Sequence, residues 1–137
     1  MRMNVRTLSA TLAVAACAGL SACGGSDKPA YCSDVSDFKD AVSELTNVQV
    51  TKDGVSELTT AVDKVETSGQ TLVSSAKSEF APQTSALKDS LTALSATSKQ
   101  LANPQTAKAA LAAVPTEVKA VKTSFDALSN AAKSKCD

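Results

Sequence analysis

VSELTTAVDKVETSGQTLVSSAKSEFAPQTSALKDSLTALSATSKQL occupies residues 55–101. Its apolar positions Val55, Leu58, Val62, Val65, Gly69, Leu72 and Ala76 alternate three and four apart, which lays one stripe along a helix. Phe80 falls one place late for that frame, and Pro82 follows. The stripe then resumes as Leu87, Leu91, Leu94, Ser98 and Leu101. Helix is therefore assigned on both sides of Pro82. Whether the proline kinks one long helix or reverses the chain decides the fold.

The flanking segments are helical in period too. Val35, Phe38, Val42 and Leu45 form a stripe over 34–46, with Ser33 or Asp34 placed to cap it. Asp34 and Asp37 fall in its first turn, where carboxylates favour the positive end of the helix dipole. Asp53 reads as the N-cap of the next helix. Asn103 followed by Pro104 reads as the cap and first residue of the last one. That helix carries Ala107, Leu111, Val114, Val118, Val121, Phe125, Leu128 and Ala132 at four-three spacing, with a kink expected at Pro115. No strand-type alternation persists anywhere.

The N-terminus has a different character. Arg2 and Arg6 precede an uncharged apolar stretch, Thr7–Leu20, of 14 residues. That suits an export signal and is shorter than the ~20 residues a spanning helix needs. Leu20-Ser21-Ala22-Cys23, followed by Gly24-Gly25, resembles the lipobox of bacterial lipoproteins at all four positions. The resemblance implies cleavage before Cys23, acylation of Cys23 and anchoring on the outer face of the cell membrane. The alternative is an ordinary secretory signal cut after Ala18, which leaves an exposed free thiol at Cys23. The expected organisation is a signal at 1–22, a lipidated Cys23 with a flexible tether over 23–31, and one helical domain at 32–137.

With Cys17 lost in the signal and Cys23 lipidated, Cys32 and Cys136 remain, one at each end of the domain. An even pair outside the cytoplasm predicts a disulfide between them. That bond tests the role of Pro82, because the two Cα atoms must lie within about 7 Å. Four antiparallel helices split at Pro82 have signed lengths that leave the ends about 35 Å apart. One kinked helix over 53–102, about 75 Å long, matches the first and last helices laid end to end along it to within about 7 Å. Helix lengths thus favour the kink, with a bundle of four shorter helices as the alternative. In either case the expected class is all-α: an antiparallel bundle or hairpin of three to four helices with Val/Leu/Ala seams, its ends joined by a disulfide.

The composition narrows function mainly by exclusion. There is no histidine, and so no Ser-His or Cys-His nucleophile and no imidazole base or ligand. Glycine-rich phosphate loops are missing, and no cofactor is implied. Both arginines precede Cys23, and aromatic residues make up 3% of the chain, so nucleic-acid binding is not expected. Asp34, Asp37, Asp40 and Glu44 gather near one helix face but lack the alternating ligands and glycine turn of a calcium loop, so no metal is assigned. Residues 27–66 hold nine acids and four lysines, whereas 67–137 hold five and eight. This asymmetry suits opposed helices, oppositely charged partners or a solvated surface.

YCSDVSDFKDAVSEL near the mature start, SEFAPQTSALKDSL in the middle and the near-terminal Cys136 resemble a family of small Ala-rich secreted proteins and lipoproteins of high-GC Gram-positive bacteria. The resemblance implies no activity and no functional residues. The expectation is a non-enzymatic envelope lipoprotein, held to the membrane through Cys23, with a structural or protein-binding role. Its helix faces would meet a protein partner or a second copy. The alternative is a carrier or sensor of a small apolar ligand.

Overall fold

A computed structural model describes residues 28–48 and 50–137, without the side chains of 50–53. Residues 1–22, expected to form a signal, and Cys23 lie outside the described residues. Four helices follow in order: α1 (Tyr31–Asn47), α2 (Val50–Ala76), α3 (Ala81–Gln100) and α4 (Ala107–Cys136). Among the described residues there is no strand.

Pro82 reverses the chain rather than kinking it. Helical geometry ends at Phe80 (φ −128°, ψ 47°), and Pro82 sits in the first turn of α3. A proline N-terminal turn lacks only an N–H that has no intrahelical partner, so the residue starts a helix without cost. α2 and α3 then pack side by side and antiparallel, as do α1 with α2 and α3 with α4, and α4 returns against α1. The result is a closed up-down-up-down ring in which diagonal helices do not approach each other.

The preference for one long helix fails for a specific reason. It treated helix ends as level at both ends of the bundle. They are level only where Cys32 meets Cys136. α2 bends at Gly54, whose φ of 76° and ψ of −176° suit glycine, so its straight part runs from Val55 to Ala76. That part rises about 33 Å against about 25 Å for α1, and α4 rises about 45 Å against about 30 Å for α3. The bend at Gly54 sets the first turn of α2 apart from its straight part, and the connection 101–106, at up to about 3.3–3.6 Å per residue, absorbs the second difference.

The caps also differ from expectation. α1 begins at Tyr31, so Ser33 and Asp34 lie inside it. Ser33 donates back to the Ala30 carbonyl, and Ala30 holds the cap position with no side-chain bond. Burial of Tyr31 and the bond at Cys32 extend the helix past the polar residues that would have stopped it. α4 begins at Ala107 rather than Pro104. The Asn103 side-chain oxygen accepts from the Gln105 N–H, forming a local turn, while Thr106 takes the cap position. α4 then continues through Pro115.

The core follows the predicted stripes. Phe38, Leu72, Leu87, Leu94, Leu128, Val62, Val65 and Val121 are almost wholly buried. Phe38 packs on Phe125 with ring centroids 4.9 Å apart. Gly69 occupies a core position in α2 because nothing larger fits: a Cβ there would stand 2.5 Å from Leu91 Cδ1 and 2.9 Å from Phe38 Cε2. Val55, expected in the stripe, is instead exposed at the far end of α2.

Candidate functional site

Three features bear on function: the end where the chain enters the bundle, the acidic residues of α1, and the grooves between helices. The entry end is built first by sequence neighbours. Tyr31 and Cys32 open α1, while Cys136 closes α4, so an antiparallel closed ring brings the two cysteines together. Their Cα atoms are 5.5 Å apart and their sulfurs are bonded. This realises the predicted pair across a separation of 104 residues.

Other contacts tie the same end. Tyr31 lies edge-on to Phe80 at 5.4 Å between centroids, and its hydroxyl donates to Glu79 Oε2 at 3.1 Å. Burial raises the Tyr31 phenol above its ordinary range, and the Glu79 carboxylate adds to the shift through the hydrogen bond and its charge. Lys135 approaches Glu79 at 3.9 Å. Lys28 Nζ donates to the Cys136 carbonyl at 2.6 Å, and Ser75 donates to Asp34 at 2.6 Å. Helices α1, α2 and α4 and the turn between α2 and α3 therefore contribute to this end. Sequence reasoning found the cysteines but missed Tyr31, Glu79 and Phe80; the late Phe80 in the α2 frame was the available signal.

Cys23 lies outside the described residues. Five peptide steps separate it from Lys28, a reach of about 18 Å at most. No helix among the described residues is long and apolar enough to cross a membrane.

The acids of α1 do not converge. Asp34 is engaged by Ser75 from α2, and Glu44 pairs with Lys64 of α2. Asp37 and Asp40 are exposed. Among the described residues no group of three or more His, Cys, Asp or Glu side chains is placed to hold a metal ion.

The widest hollow, about 600 Å³, is a shallow surface along α2 at Thr67, Gln70, Thr71, Ser74 and Ser75, and two further hollows lie along one seam. A groove of about 550 Å³ between α2 and α3 is lined by Val55, Thr59, Asp63, Ser95, Ser98 and Lys99 among others. A second of about 370 Å³ continues it past Glu66 to Lys77 and Lys88. Both are open and of mixed polarity. A smaller hollow of about 240 Å³ lies between α1 and α4 beside Phe125. None of these hollows brings together a nucleophile, a base and a polarising group among the described residues.

The chain matches no protein-family model, no curated protein and no solved structure.

Proposed function

We propose that this chain is a membrane-anchored envelope lipoprotein with a non-enzymatic, structural or protein-binding role. The observation that carries the reading is the run Leu20-Ser21-Ala22-Cys23 directly before a Gly/Ser/Pro tether. Lipidation of Cys23 explains that cysteine, and two acyl chains suffice for stable attachment. The Cys32–Cys136 bond supports an oxidising compartment. The tether enters the bundle at the disulfide end, so the opposite end, with the connections 48–54 and 101–106, faces away from the membrane. The helix surfaces carry the binding role.

The test replaces Cys23 with Ala in the producing cell. The variant is expected in the medium and the parent chain in the membrane fraction, with the lipid visible as added mass on the N-terminal peptide. A Cys23→Ala chain that stays with the membrane, or a parent chain with an unmodified Cys23, removes the reading. An apolar molecule co-purifying in native mass spectrometry would replace binding of proteins by carriage of a ligand.

A further inference from the structure

The groove between α2 and α3 is unusual in how its charges are arranged. Asp63 and Glu66 stand on the α2 wall with Lys77 further along it, and Lys88 and Lys99 stand on the α3 wall. Asp63 and Lys99 line the same stretch, yet neither takes part in an ion pair among the described residues. The groove holds them too far apart to meet. Its floor carries Ser95 and Ser98, which are 8% and 7% exposed. Val55, the one large hydrophobic residue exposed among those described, forms the upper rim beside Ala102. Opposite unpaired charges and an exposed apolar edge thus share one face.

We infer that the α2/α3 groove is the interface of a symmetric dimer whose two-fold axis runs parallel to the bundle axis. A rotation about that axis keeps every residue at its own height and sets α2 of one copy against α3 of the other. Heights follow from Gly69 lying against Leu91, so α2 and α3 residues whose numbers sum to about 160 are level. Asp63 of one copy then meets the second copy at the level of Ser95, Ser98 and Lys99. The carboxylate finds a lysine and two hydroxyls, and symmetry provides the set twice. Val55 comes against the stretch after Leu101 of the other copy and is covered.

The competing two-fold, perpendicular to the helices, fails on charge. Centred on the groove, it sets Glu66 against Glu66 of the other copy and Lys88 against Lys99. Like charges in direct opposition are unfavourable, so the parallel arrangement is selected. The groove runs about 33 Å from Val55 to Lys77, and two helices are about 20 Å wide. Pairing it with itself buries roughly 1,300 Å² in total, at the lower end of specific interfaces. The parallel axis also leaves both chain entries at the same end, so two anchors can share one leaflet. That last point rests on the anchoring reading; the pairing of the grooves does not.

The test uses the full-length Cys23→Ala chain purified without lipid, so its outcome is independent of anchoring. Sedimentation equilibrium is expected to show a monomer–dimer equilibrium that weakens as salt is raised. Asp63→Lys and Lys99→Glu should each weaken the dimer at least about tenfold, because each converts two attractive pairs into repulsive ones. An equimolar mixture of the two variants should dimerise again, since each then offers what the other lacks. Both sites line an open groove, and circular dichroism checks that the variants stay folded. A parent chain that remains monomeric at about 1 mM overturns the proposal. So does a dimer that neither variant weakens, or a mixture that fails to recover. A Glu66→Cys chain that links to its own copy through residue 66 would overturn the parallel axis.

Discussion

The two ends of this bundle are closed by different means. At the entry end, a disulfide joins α1 to α4, and an aromatic edge contact and a tyrosine–carboxylate bond join α1 to the turn between α2 and α3. At the far end, the turn over 101–106 is held by short-range bonds: Asn103 to Gln105 and Thr106 to the Gln100 carbonyl. The ties at the entry end span long sequence separations, whereas the 101–106 turn closes on local chemistry. The difference matters if Cys23 is lipidated. A pull on the tether reaches Cys32 and is shared with the C-terminus of α4, so α1 cannot peel away alone.

Removing the disulfide should break this contrast most. Cys32→Ser with Cys136→Ser frees a loop of 104 residues in the unfolded state. The chain-entropy account sets the loss at up to about 4–5 kcal/mol. Denaturant unfolding of the double variant should show a midpoint shifted by that order, and the parent chain under reducing conditions should match it. Equal stability of the two forms would mean that the entry end is held by its side chains alone.

The middle of the bundle lies between these extremes. Gly69→Ala should gain about 1 kcal/mol of helix propensity. It should lose more, because its new methyl overlaps Leu91 and Phe38, both packed in the core. Overpacking of this kind costs about 1–3 kcal/mol, so a net loss is expected. A thermal melt of the variant reads the sign directly. Leu91→Ala combined with Gly69→Ala should recover part of the propensity gain, since the closest clash is removed.

How far these features were legible in the sequence also differs by region. The heptad stripes placed nearly every core residue, because a 3.6-residue period leaves little choice of face. Cysteine arithmetic found the disulfide, because redox compartment and parity constrain it. Pro82 was read the wrong way for a geometric reason: helix rise alone does not count what connections span. The caps at Ser33, Asp34 and Asn103 were misplaced because tertiary burial of Tyr31 and a local asparagine turn outweighed cap preference. Charge asymmetry along the chain was visible early. The facing of Asp63 and Lys99 across one groove was not, since that needs the reversal at Pro82 and the level of Gly69 with Leu91.

Tyr31 offers a probe confined to the entry end, because it is the only tyrosine in the chain. Its phenol is raised first by burial and then by Glu79. The folded state therefore favours the protonated form. The stability this contributes is complete below the unfolded value of about 10 and is lost as pH rises through the folded-state value. An absorbance titration should show the phenol ionising above the unfolded range. Tyr31→Phe should flatten the dependence of stability on pH in that alkaline window. Glu79→Gln should lower the phenol's midpoint only part of the way, because burial remains.

Asn103→Ala sets the lower bound of the contrast. The substitution removes the side-chain bond to the Gln105 N–H at 3.0 Å, in an exposed turn where water can take its place. The Thr106 hydroxyl still reaches the Gln100 carbonyl at 2.8 Å, and Ala107 N–H still reaches the Asn103 carbonyl at 2.8 Å. One neutral bond of three is lost, so about 0.5–1 kcal/mol is expected in denaturant unfolding. Hydrogen exchange should change only near 101–107, leaving amides around Tyr31 and Cys136 as protected as before. A loss on the scale of the disulfide, or faster exchange at the entry end, would show that the two ends are coupled through the core rather than held separately.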